Sequence, residues 1–387
     1  MANTLTNLIP DLYAGLDVVS RELVGFMPTV SRNMGTDRAA LGEAVRFHRA
    51  PVVAGVSISP AMAIPEPADL TVGSDTISIS KAKAYPFGFA GEEVRGLNNG
   101  PGFLSVQADM FAQALRGLVN EIESDLASAA YLGASRAFGT AGTTPFASDT
   151  SAAAQVRKIL DDNGAPLSDR AMVLNTTSGA NLRTLLGINA DRVAQDQMTM
   201  QQGSLINLAG MVVTESGQAK SHTAGTAATT STDATGYAVG STVITLDAST
   251  PSGTGTFVAG DVITFAGDAN KYVIVSGDAD TSDGGSITIA EPGLRVAIPA
   301  AETLITRTAS YSSNVAFARS AIHLAVRPPA LPMEGDMAVD RMMIVDPRSG
   351  MPFEVSVYAG YRKMRYEVAA AWGVKVVKPE HVALLIG

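Results

Sequence analysis

Cysteine is absent from the 387 residues, so neither a disulfide nor a thiolate metal site holds this chain together. Charge is scarce as well. Charged residues make up 17% of the chain, against about 25% in ordinary soluble domains. A chain this poor in charge is expected to cover much of its surface with other protein chains. The 28 basic residues are outnumbered by 37 acidic ones, leaving a formal net charge of −9. That balance argues against tight, sequence-independent DNA binding, which needs clustered cations. No stretch approaches the roughly 18 uncharged apolar residues of a membrane span, so none is expected. The first eight residues lack a basic region and a long apolar core, so no signal peptide is expected.

Chemistry-bearing motifs are missing too. His48, His222, His323 and His381 lie far apart and none falls in a metal-ligand spacing. His323 sits in an apolar stretch and reads as structural, while His48 reads as a surface residue. There is no phosphate-cradling glycine loop with its lysine, and no Gly-x-Ser-x-Gly elbow. Asp278, Asp280 and Asp283 faintly resemble a Ca²⁺ loop, but Glu291 falls two positions late for the closing ligand, so a polar turn is expected. No catalytic residue, cofactor or metal is expected.

What is present reads as a mixed α+β chain long enough for two or three domains. Residues 11–27 carry Leu12, Leu16, Val19, Leu23 and Phe26 at helical spacing, with Pro28 as the stop. Residues 43–90 read as two alternating strands, around Val45–Phe47–Arg49 and 76–81. They are joined by a tip carrying Pro51, Pro60, Pro65 and Pro67, a projecting β-arm expected to pack on a partner. Residues 102–138 give the strongest helical stripe, from Leu104 to Ala129, a spine of about 50 Å. Helices at 148–162 and 178–186 and strands at 171–174, 205–208 and 211–213 follow. Residues 216–313 then change character to Thr, Ser, Gly and Asp. Strands at 242–246, 262–265, 272–275, 286–289 and 303–306, separated by Gly-Asp turns, predict a small all-β barrel or sandwich. Beyond it the pattern predicts a helix and apolar strand over 315–326, then strands at 353–361 and 365–377. Arg362, Lys363 and Arg365 beside Tyr361 and Tyr366 could touch phosphate, but read better as an intersubunit salt-bridge patch in so acidic a chain.

In this order, the elements resemble the major capsid (coat) proteins of short-tailed, double-stranded-DNA bacteriophages whose coat carries an inserted β-barrel. Three stretches carry the resemblance: the succession of N-terminal helix, Pro-rich loop and spine; the barrel core Phe257-Val-Ala-Gly-Asp-Val-Ile-Thr-Phe-Ala-Gly267; and Val368-Ala-Ala-Ala-Trp-Gly-Val-Lys-Val-Val-Lys-Pro-Glu380. The resemblance implies the tailed-phage capsid fold. It implies an N-arm (1–42), an extended loop (43–90), a peripheral domain (91–147 and 366–387), an axial domain (148–217 and 309–365) and the inserted barrel (218–308). It also implies a virion coat of hexamers and pentamers of this chain, assembled in the host cytoplasm with scaffolding and portal proteins and enclosing DNA without reading its sequence. Asp17 matches the scaffolding contact; Leu12, Leu16, Phe26, Phe47, Arg362, Lys363 and Arg365 are the intersubunit candidates. The family's charged capsomer-bridging loop is nearly uncharged here, over 223–236. A rival reading is a cell-surface or carbohydrate-binding protein using the barrel. It would need an exposed platform drawn from Tyr237, Phe257, Phe265 and Tyr272.

Overall fold

In the computed structural model, residues 24–49, 55, 73–97, 103–190, 207–248, 254–345 and 350–387 are described. Leu12, Leu16, Asp17, most of the 11–27 stretch and most of the Pro-rich tip therefore lie outside the described residues. The first elements are β1 (Ser31–Met34), β2 (Ala44–Arg49), β3 (Gly73–Ser78) and β4 (Lys81–Ala90), followed by α1 (Gly91–Leu97) and α2 (Phe103–Leu132). Next come β5 (Arg136–Gly139), α3 (Ser151–Asp162), β6 (Arg170–Leu174), α4 (Thr176–Ala190), β7 (Val212–Glu215) and β8 (Ser221–His222). The Thr/Ser/Gly-rich region supplies β9 (Val243–Thr245), β10 (Val262–Phe265), β11 (Lys271–Ser276), β12 (Ser286–Ile289) and β13 (Ile305–Arg307). The chain closes with β14 (Tyr311–Ala318), β15 (Ile322–Arg327), β16 (Ala338–Val345), β17 (Pro352–Gly360), β18 (Lys363–Val376) and β19 (Val382–Ile386).

The spine α2 is the predicted long helix, ending at Leu132 rather than running to 138. Its apolar stripe, Phe111, Leu115, Leu118, Ile122 and Leu126, is buried. The stripe packs on a six-stranded sheet of order β1–β15–β18–β17–β16, with β4 also paired to β18. Gly117 lets the helix approach that sheet, because a Cβ there would stand 2.6 Å from the Tyr85 ring on β4. At the far end of β18, Trp372 is fully buried and its indole N–H donates to Asp125 of the spine at 2.8 Å. A buried indole needs such a partner.

Two expected boundaries are corrected by this sheet. β4 lies inside the stretch read as extended loop (43–90), yet it pairs along its length with β18, from Lys363↔Ala90 to Trp372↔Lys81. The expected division between 365 and 366 falls within β18, a single 14-residue strand. Continuous burial from Val368 to Trp372 keeps that strand whole.

The predicted helix near 315 is also overturned. Residues 311–318 form β14, hydrogen-bonded to β19 on one side and β6 on the other. Almost every residue of β14 is buried. A strand covered on both faces shows no alternation, so its apolar run mimics a buried helix segment. The helix expected over 178–186 runs on through Gly187 as α4. Strands β1, β5 and β16 carry no pattern strong enough to have been expected.

The five strands expected in the Thr/Ser/Gly-rich region all form, and they close on themselves. β10 pairs with β11, β11 with β12, β12 with β9, and β13 with β10. The gap between β9 and β13 is bridged by Ser231↔Leu304 and Thr232↔Leu246. Ile244, Phe257, Ile263, Phe265, Tyr272, Ile274, Ile287 and Ile305 fill the interior. The neck is a short ladder, Tyr311↔His222 and Ser312↔Ser221. Alternation sends the next residues the other way. Ile263 and Tyr272 point into the barrel, while their neighbours Val262 and Val273 join the core beneath the spine helix. β11 also pairs with β5 of the body, Tyr272↔Arg136 and Lys271↔Ala137. The β-module is laced to the body and does not hang from it as the solvated knob its acidic composition suggested.

Candidate assembly surfaces

The N-terminal strap is gripped from within. Glu123, on the spine and fully buried, accepts the backbone N–H groups of Gly25 and Phe26 at 2.7 Å and of Met27 at 3.0 Å, and the Ser216 hydroxyl at 2.8 Å. Burial is the largest influence on this carboxyl and raises its pKa, while the four donors oppose it. Phe26 stacks on Phe317 with ring centroids 6.2 Å apart and is 2% exposed. It belongs to its own chain's core and leaves the set of intersubunit candidates. Further along, Arg327 donates to Asn33, and Arg38 pairs with buried Glu354 at 2.5 Å. Sequence gave no signal for Glu123, which sits between Glu121 and Asp125 with nothing to distinguish it.

The β-arm roots on the body through β2 and β3, which pair in register from Ala44↔Ser78 to Arg49↔Gly73. Phe47 stacks on His323, centroids 4.9 Å apart, and Ile77 and Ile79 are buried against Ala325 and Ala371. Lys375 on β18 binds Asp75 at 2.5 Å. Gly373 makes the close approach possible, since a Cβ there would stand 2.1 Å from the Ser78 carbonyl oxygen. Phe47 at the base of the arm is thus held by its own body. Burial is the main cause that lowers the His323 pKa.

At the opposite end of β18, the β17–β18 hairpin turns through Tyr361 and Arg362. Arg362 has a φ of +56°, the left-handed region, and Tyr361 is 90% exposed. Arg362, Lys363 and Arg365 are all exposed, and among the described residues none has an ion-pair partner. Beside them lies a concavity of about 560 Å³, floored by Phe89, Val94, Met364 and Tyr366 and rimmed by Arg362 and Lys363.

The barrel seam holds the remaining buried polar cluster. Asp261, fully buried, binds His222 Nε2 at 2.9 Å and accepts the Val258 and Gly225 backbone N–H groups. Tyr311 donates to the Gly260 carbonyl at 2.6 Å, and burial raises its pKa strongly. Tyr272 is pushed up to about 12, chiefly by burial and then by its bond to Asp268. Phe257, Phe265 and Tyr272 lie inside the barrel, and Tyr237 packs against them. The exposed aromatic platform that a glycan-binding barrel needs is therefore missing from these four residues. Asp280 accepts the Ser282 backbone N–H and hydroxyl, and Asp278 accepts the Asp280 N–H, a self-bonded turn. Among the described residues no group of three His, Cys, Asp or Glu could hold a metal, and no helix is long and apolar enough to cross a membrane.

No protein-family model matches the chain, and no curated protein does. Solved structures do. The capsid of bacteriophage PhiM1 matches at 12% identity and a TM-score of 0.45, over 94% of this chain and 86% of that one. The capsid structure of the cyanophage P-SCSP1u matches at 12% identity and a TM-score of 0.51, over 95% of this chain and 88% of that one. With the spine helix, the long sheet against it and the arm rooted beside it, this second likeness shows that the chain has the tailed-phage major-capsid fold.

Proposed function

We propose that this chain is the structural coat subunit of a phage capsid, self-assembling into a closed icosahedral shell around double-stranded DNA. The observation that carries the reading is the likeness to the cyanophage capsid over nearly the whole of both chains. The charge-poor composition supports it, because a subunit whose surface becomes interface needs few solvated charges. The role is structural rather than catalytic. Hexamers and pentamers of the chain form the shell, with a portal protein at one vertex. A scaffolding protein contacts Asp17 during assembly in the bacterial cytoplasm, and DNA is enclosed without sequence readout. The subunit belongs to the short-tailed branch with an inserted barrel. Leu12 and Leu16 on the N-terminal segment, the tip of the β-arm, and Arg362, Lys363 and Arg365 reach neighbouring copies. Many modest contacts, each repeated around the shell, supply the affinity.

Sedimentation of the purified chain, with and without a co-expressed scaffolding partner, tests the reading. Assembly into fast-sedimenting particles is the expected result. A chain that remains a monomer in both conditions contradicts it.

A further inference from the structure

We infer that the cation-rimmed apolar groove at the β17–β18 turn receives the proline-rich tip of a second copy's β-arm; this rests on the self-assembly reading. The groove offers an aromatic and apolar floor, Phe89, Val94, Met364 and Tyr366, and two cations without ion partners, Arg362 and Lys363. Such a floor suits an extended proline-rich segment, whose backbone is already stiff and loses little entropy on docking. The cations select an acidic one.

The chain carries one segment of that chemistry. Residues 51–72 hold Pro51, Pro60, Pro65 and Pro67, several Val, Ile and Met residues, and Glu66 and Asp69, with no Lys, Arg or His. In Ala63-Ile-Pro-Glu-Pro-Ala-Asp69 the prolines and both acids fall together.

Geometry excludes the chain's own arm. β3 lies beside the far end of β18, with Asp75 on Lys375 and the Ser80 N–H on the Trp372 carbonyl. Running back from Ser78 to Gly73, the arm leaves past Lys375, away from the turn at Lys363. Twelve strand residues separate those two lysines, about 40 Å at the rise of a β-strand. Residues 50–72 must go out and return, so even fully extended they reach only about 37 Å from their base. That base already lies beyond Lys375, so the groove is out of reach. The occupant is the arm of another copy.

The absence of native cysteine makes the test clean. One chain carries Ala68→Cys, another carries Met364→Cys, and the two are co-assembled and treated with a short bismaleimide linker. The expected result is a cross-linked dimer that needs both chains and disappears when Arg362 and Lys363 are both changed to Glu. Restoration of that dimer by Glu66→Lys with Asp69→Lys in the arm supports charge pairing. Particles that assemble normally without the heterotypic dimer overturn the inference and leave the self-assembly reading standing. A monomeric double-cysteine chain that cross-links only within itself overturns it as well, by showing the chain's own arm in the groove. A wild-type chain that never assembles overturns both.

Discussion

Glu123 holds the end of the N-terminal strap with a carboxylate that no cation neutralises. All four of its partners are donors, so an amide in its place would bring an N–H₂ group against the Gly25, Phe26 or Met27 N–H. Glu123→Gln is expected to destabilise the chain by about 2–4 kcal/mol, read as a lower urea midpoint with an unchanged slope; a midpoint within error of wild type would contradict the clamp. Two histidines set a pH dependence. Burial is the first cause lowering both His323 and His381 from the usual imidazole value. Their neutral forms are therefore favoured more in the folded chain than in the unfolded one. The stability they contribute is fully present above about pH 6.5 and is lost as pH falls below that value toward their folded pKa values. The urea midpoint is expected to drop from pH 7.5 to pH 5, and His323→Gln to shallow that drop. A midpoint that rises on acidification would refute the assignment.

Elements that bury one face were legible; those buried on both were not. The spine stripe and the barrel strands 262–265 and 286–289 show clear periods or turn signals, and they form where expected. β14 was misread because it is covered on both sides. β16 hides Arg341 among partners distant in sequence, Asp336 and Glu354, that no local pattern reveals. The arm's base was legible as two alternating strands, but its seat on β18 depends on Gly373, one glycine in an apolar run. Gly373→Ala would push a methyl group into the Ser78 backbone and is expected to cost about 1–3 kcal/mol. Faster hydrogen exchange confined to β2, β3 and the adjoining part of β18 is the expected signature; unchanged exchange there would show that the close approach is dispensable. The barrel seam carries its own expectation. Deleting 223–308 would uncover Tyr311, Arg136 and the core that Val262 and Val273 complete. Such a chain is expected to be insoluble, and recovery of a soluble, folded remainder would show the module to be an independent appendage.

For the whole molecule, the described strap refines which truncation is informative. Residues 24–27 are part of the subunit's own core, so a cut after residue 27 damages folding as well as any reach to neighbours. Removing only residues 1–23 leaves the Glu123 clamp intact and isolates the segment bearing Leu12, Leu16 and Asp17. The groove at the turn and the root of the arm occupy opposite ends of one strand, which is how a subunit with little charge can link to others in more than one direction. The most direct test of the account is electron microscopy of negatively stained, purified chain after co-expression with its scaffolding partner. Closed, uniform icosahedral shells built from this chain are the predicted result, and a field of single compact subunits at every concentration tried would contradict it.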